Sequence, residues 1–325
     1  MKHFVVLLWL IGAALCPNAA AGPQVRLEAN LDAMGSVYTV AVYGADRGQL
    51  EAAVEQAFEE IRRLDRMLSN YRADSDWSEI NRYASQRPVK VTPELFELLA
   101  QCVGYSRASE GTFDITVGPL MRVWGFYKGT GRLPEKDDIR KALGSVGYGN
   151  ILLDPETRTV RFARPGVDMD PGGIGKGYAV DKIVDVLREG GIQSALVSAG
   201  TSSIYALGSP PGQKGWKVGI RDPRSSLRTV AEVYLKDESL STSGNYEKFF
   251  LAGGKMYSHI MDPRTGYPAQ GTLSVSVIAP KTLDSEAWTK PYFVLGRSWA
   301  GRHRPQGFRI FLCEDRSEQT CAWLQ

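Results

Sequence analysis

One stretch constrains the chain more than any other: Asp168-Met-Asp-Pro-Gly-Gly-Ile-Gly-Lys-Gly-Tyr-Ala-Val-Asp181. Four glycines fall between Gly172 and Gly177. Directly after them Val180, Ile183, Val184 and Leu187 recur at i, i+3, i+4 and i+7, the apolar face of a helix. Gly190-Gly191 ends that helix, and Ser194-Ala-Leu-Val-Ser198 reads as a short buried strand. A glycine turn that feeds a helix N-terminus offers backbone N–H groups and a positive dipole end to an anion. Lys176 adds a full charge at the same place. The stretch therefore reads as a phosphate or pyrophosphate site, with a ligand-free packing turn as the alternative.

Two glycine motifs are excluded by spacing. A P-loop follows its Gly-Lys pair with Ser or Thr, whereas Gly177 follows Lys176. A dinucleotide fingerprint runs G-x-G-x-x-G, whereas Gly173, Gly175 and Gly177 run G-x-G-x-G.

The 325 residues carry a net charge of +3 and are 43% apolar, ordinary for a globular chain. The basic residues are scattered rather than clustered, which speaks against a nucleic-acid partner. At the start, Lys2 and His3 precede an apolar run from Phe4 to Leu15, and Ala19-Ala-Ala21 supplies a cleavage site. The run is too short to span a bilayer. Leu15 before Cys16 argues against a lipoprotein, so residues 1–21 are expected to be a signal peptide on an exported, periplasmic protein. Residues 22–325 are expected to form one domain. Cys102 falls on the apolar face of a helix, as a buried thiol. Cys313 and Cys321 flank a polar turn and read as a hairpin disulfide or as two unpaired core cysteines.

Periodicity predicts helices over Gln49–Leu68, Pro93–Ala108 with Thr92 as cap, from Pro119, over Glu135–Leu143 and over Ser285–Gly296. Strand alternation runs around Met34–Val40, a hairpin over Ile151–Ala163, and further strands over Ser203–Leu207, Trp216–Ile220, Val230–Leu235, Lys255–Ile260, Val275–Ala279, Phe308–Cys313 and Cys321–Leu324. Ser241–Tyr246 reads as a small-residue loop. The mixture is α+β, without linker or repeat. Polar clusters in loops mark where chemistry is built: Asn70-Tyr71, Thr112-Phe-Asp114, Ser241–Gly244, and His259 with Asp262. His259 is either structural or a proton carrier, and Tyr71 is either a stacking face or a loop aromatic.

Taken together, four segments resemble the ApbE family: Gly111–Phe126 (GTFDITVGPLMRVWGF), Asp170–Asp181 (DPGGIGKGYAVD), Ser241–Tyr246 (STSGNY) and Tyr257–Pro268 (YSHIMDPRTGYP). Met34-Gly35, the Ser69–Asn81 loop and Tyr292–Gly296 (YFVLG) fit the same pattern. The likeness covers nearly all of the chain after residue 21, in order. It implies a single-domain α+β fold with a duplicated T-fold-like core. It also implies an FAD:protein FMN transferase that moves FMN from FAD to a Ser or Thr hydroxyl of a partner protein, a membrane or exported redox protein, and releases AMP. By the same resemblance Met34, Tyr71, Thr112, Phe113, Asp114, Asp170, Lys176 and Met261 hold FAD. His259 takes the proton, and Mg²⁺ sits at Gly173, Glu286, Thr289 and Lys290.

This chain departs from the family at the metal. Where the family places D-A-x-x-T, it has Glu286-Ala-Trp-Thr-Lys290. Mg²⁺ prefers oxygen ligands, and an ammonium has no lone pair to give. Glu286 and Lys290 lie one helical turn apart and can pair, or the ammonium can stand where the cation would. Ser198-Ala-Gly-Thr-Ser202 also departs from the usual N-x-G-G. Two other readings follow: an exported FAD-binding protein or FAD pyrophosphatase without transfer, and a structural domain that has lost its ligand.

Overall fold

The computed structural model describes residues 24–315 and 321–324. The expected signal peptide lies outside the described residues. Eight strands form one sheet in chain order, each antiparallel to the next: β1 (Val25–Ala33), β2 (Ser36–Gly44), β3 (Ser194–Ala199), β4 (Ser203–Leu207), β5 (Glu238–Gly244), β6 (Thr272–Ala279), β7 (Arg309–Glu314) and β8 (Cys321–Trp323). The helices are α1 (Arg47–Leu68), α2 (Asp76–Tyr83), α3 (Pro93–Ala108), α4 (Gly118–Val123), α5 (Lys136–Leu143), α6 (Gly175–Glu189) and α7 (Thr282–Arg302). The α+β expectation holds.

Strand alternation sorts the sheet into two faces. Tyr38, Val40, Val42, Ala195 and Val197 pack against α1 and α6. Val275 and Val277 pack against Tyr292 and Phe293 of α7. On the opposite face Ala41, Ala206, Leu240 and Ile278 are covered by Trp216, Val218, Ile220 and Leu235 of a long hairpin. The predicted face of α1 is buried throughout, and Asp46 caps that helix by accepting from the Gly48 and Gln49 amides. Thr92 caps α3 as predicted, accepting from Leu95 N at 3.3 Å. Cys102 is fully buried, and Cys313 and Cys321, opposed across β7 and β8, are disulfide-bonded.

Three sequence expectations are corrected. Met34 is not strand: it forms the β1–β2 turn with Gly35, both with positive φ, and its amide donates to Asp65 Oδ1 at 3.1 Å. Ser241–Gly244 is not loop but the end of β5, inside the sheet. Its serines look like turn residues in sequence, yet their hydroxyls have partners across the structure. Ser239 and Ser241 bond to Ser285, and Ser243 to Thr289 at 2.8 Å. Finally, Gly296 does not end α7; its φ of 74° and ψ of −174° kink the helix, which resumes to Arg302.

The start of α7 is tied to α6. Asp181 accepts from the backbone amides of Thr282 at 2.7 Å and Leu283 at 2.9 Å, capping α7 from the neighbouring helix. Glu286 in turn accepts from the Gly177 amide. Contact this close needs Gly177, since a Cβ there would lie 2.5 Å from the Thr282 carbonyl oxygen. Removing the Asp181 carboxylate leaves two helix amides without an acceptor. Asp181→Ala should lower the unfolding free energy by about 1–3 kcal/mol, and Asp181→Asn, which keeps one acceptor, by less; urea unfolding of the three proteins measures both.

Candidate active site

A cavity of about 490 Å³ opens where the β1–β2 turn, the Thr112–Asp114 loop, the glycine turn, the end of β5, His259 and α7 meet. That lies within the range of small-molecule sites, about 300–1,000 Å³. Every residue that the sequence assigned to FAD, to proton transfer or to a metal lines it.

The glycine turn forms one wall. Asp170 caps it by accepting from Gly172 N at 2.6 Å. Helix α6 then starts at Gly175 without a side-chain cap from Ile174, which puts Lys176 in its first turn beside the cavity. No described residue forms an ion pair with Lys176 within 4.0 Å. Tyr71 also lines the cavity and is 64% exposed. Its ring lies against Gly35, where a Cβ would come within 3.4 Å of it. Burial and the Asp170 carboxylate both push its hydroxyl above the usual range.

Two predicted ligand residues serve the loop itself. Asp114 accepts from the Thr116 amide and hydroxyl and from Tyr148 N at 2.6 Å. Thr112 donates to the Ser109 carbonyl at 2.7 Å. These bonds fix the loop and leave the Phe113 ring facing Gly173. Tyr127, which sequence reasoning missed, lines the cavity; burial and the nearby Asp170 carboxylate raise its hydroxyl. The signal was Gly125 and Gly129, both with positive φ, which turn the Phe126–Lys128 segment toward the site.

The lysine of α7 does not pair as its spacing allowed. Lys290 Nζ donates to the backbone carbonyl of Glu286 at 3.0 Å, while the Glu286 carboxylate turns to Gly177 N. The i,i+4 ion pair is replaced because the α6 amide offers that buried carboxylate, only 2% exposed, a closer partner. Burial pushes the Lys290 ammonium down to about 8, the Glu286 charge opposing and Lys176 adding to the fall. Thr289, fully buried, donates to the Glu286 carbonyl at 2.7 Å.

Gly173, Glu286, Thr289 and Lys290 thus stand together, but they do not fit a magnesium cage. Only one carboxylate is among them, the hydroxyl is committed to Ser243 and Glu286, and the fourth group is a cation with no lone pair to give. Among the described residues no three His, Cys, Asp or Glu side chains converge to hold a metal.

His259 completes the cavity. Its Nδ1 lies 3.2 Å from the Lys248 carbonyl, which also accepts from the His259 amide at 2.9 Å. A carbonyl only accepts, so Nδ1 carries the proton and Nε2 is the basic nitrogen. Burial pushes the imidazole down to about 4; the Lys248 carbonyl opposes this, and the charges of Lys176, Lys248 and Lys290 add to it.

The sequence pattern of the ApbE family matches residues 34–306. The chain belongs to the ApbE family. A Klebsiella pneumoniae (strain 342) protein named FAD:protein FMN transferase is 33% identical over 267 residues, which cover 81% of this chain and 80% of that one. A Treponema pallidum protein of the same name is 33% identical over 310 residues, covering 89% and 85%. The ApbE protein of Thermotoga maritima superposes with a TM-score of 0.84 at 29% identity, over 92% of this chain and 97% of that chain. The apo flavinyl transferase ApbE of Pseudomonas stutzeri gives 0.81 at 29% identity, over 93% and 95%.

The position of His259 among three lysines makes a pH prediction. Its folded value of about 4 lies below the unfolded value of 6.5, so between them the unfolded chain binds more protons. Stability present above pH 6.5 is therefore lost as pH falls through that window. NMR titration of His259 should give a midpoint well below 6.5, and Lys176→Gln should raise it. A midpoint unmoved by that change would show that the Lys176 charge does not reach the ring.

Proposed function

We propose that this chain is an FAD:protein FMN transferase. The observation that carries the reading is Lys176 in the first turn of α6, lining one cavity with the neutral imidazole of His259. The relatives' shared name supports it. The FAD pyrophosphate would lie on the α6 amides and Lys176. Tyr71 and Phe113 offer flat faces to the rings, with Met34, Met261 and the loop set by Thr112 and Asp114 around them. Asp170 holds the turn that presents the amides.

In the reaction, a Ser or Thr hydroxyl of the acceptor attacks the phosphorus on the FMN side of the pyrophosphate. The P–O bond to AMP breaks, and the hydroxyl proton goes to His259 Nε2 and then to solvent. FMN is left on the acceptor as a phosphodiester. Lys176 neutralises charge on the leaving phosphate. An arriving dianion also offsets the lysine charges that hold His259 down, so donor binding makes the base stronger. Magnesium has no step here, because the residues at its expected place do not fit it. Water in place of the hydroxyl gives FMN and AMP, and the altered Glu286–Lys290 segment is what keeps this second reading.

The acceptor in this reading is a membrane or exported redox protein, and the chain works in the periplasm. The Cys313–Cys321 disulfide supports the compartment, because such bonds persist under oxidising conditions.

Incubation with FAD and a candidate acceptor separates the readings: an FMN-sized mass gain on the acceptor with AMP release supports transfer, and free FMN alone supports hydrolysis. FAD should bind far more tightly than riboflavin in calorimetry, since the pyrophosphate adds charge-assisted hydrogen bonds; equal affinities would remove the pyrophosphate site. His259→Ala should keep FAD affinity while slowing transfer roughly 10²–10⁴-fold. An unchanged rate would assign His259 to structure.

A further inference from the structure

We propose that two ammonium groups built into the chain, those of Lys176 and Lys290, neutralise the FAD pyrophosphate, so that FAD binds without a divalent cation. This rests on the FAD reading given above and adds how the charge of that ligand is met.

Lys290 reaches the glycine turn from α7. A Cβ placed on Gly173 would lie 3.4 Å from its Cε. Its ammonium makes one hydrogen bond, to the Glu286 carbonyl at 3.0 Å. An ammonium has three donors, so two remain for a ligand. Neither Lys176 nor Lys290 has a carboxylate within ion-pair distance among the described residues; the neighbouring carboxylate, Glu286, is turned to the Gly177 amide. Both lysines line the same cavity, beside the glycine turn. Two cations with no ion-paired carboxylate among the described residues, beside the start of α6, are arranged for an anion with more than one negative charge.

The same arrangement works against a metal. A divalent ion bound between Gly173 and Glu286 would sit beside the Lys290 ammonium, and like charges this close repel strongly where water is scarce. It would also meet a Thr289 hydroxyl already bonded to two oxygen partners. An extra oxygen donor at position 290 would serve a metal, and a lysine there removes one while supplying a charge.

The test is calorimetric binding of FAD to the purified chain after removal of metals, in EDTA and in MgCl2, with no turnover involved. The wild-type chain should bind FAD with similar affinity in both. Lys290→Thr should bind roughly ten- to a hundredfold more weakly in EDTA, the loss expected for one charged hydrogen bond, and regain affinity with Mg²⁺. Lys290→Arg, which keeps the charge, should stay metal-insensitive, and unchanged circular dichroism should show that both variants fold. A wild-type affinity that collapses in EDTA, or a Lys290→Thr variant that matches wild type in both buffers, overturns the proposal. Absence of FAD binding by wild type in either buffer instead overturns the FAD reading on which it stands.

Discussion

The structure depends on the junction between α6 and α7. Each helix gives the other a carboxylate: Asp181 accepts from the first amides of α7, and Glu286 accepts from an amide in the first turn of α6. A buried carboxylate is costly unless it is hydrogen-bonded, and here each meets backbone donors that a helix start leaves without partners. The contact closes only because position 177 lacks a Cβ. On its far side α7 is bound to β5 through Ser285 and Thr289. The sheet thus holds α7, α7 holds the glycine turn, and the turn holds Lys176 at the cavity.

What the sequence made legible is what repeats locally. The faces of α1 and α6 follow from helical spacing, and their apolar residues are buried as spaced. Strand β5 was hidden because its serines have no apolar alternation; what holds them in a strand is a row of hydroxyl partners about 45 residues further on. For the same reason the sequence left the partner of Glu286 open. Its spacing from Lys290 allowed a pair, yet its partner is an amide brought up by the fold from 109 residues away. The site residues were legible as motifs of a family rather than from composition. The division of labour within Thr112–Asp114 was not, since only the folded loop shows that Asp114 is consumed by Thr116 and Tyr148.

The charges around His259 come from three lysines: Lys176, Lys248 and Lys290 all depress it, while of the cavity carboxylates Asp114, Asp170 and Glu286 accept from backbone amides and Glu247 pairs with Arg221. This leaves an imidazole that is neutral and of fixed tautomer before any ligand arrives. The Lys248 carbonyl, in the turn that follows the end of β5 at Gly244, sets which nitrogen is basic.

Lys290 differs from a bound ion in one further respect: it is part of the chain. A metal can dissociate together with the nucleotide it has bound, and its grip on the product ends there. A side-chain ammonium stays behind, so the departing AMP phosphate must be pulled away from charges that cannot follow it. Where lysine takes the place of the ion, AMP becomes a competitor for the empty cavity. Its release then answers to charges fixed in the chain rather than to metal concentration.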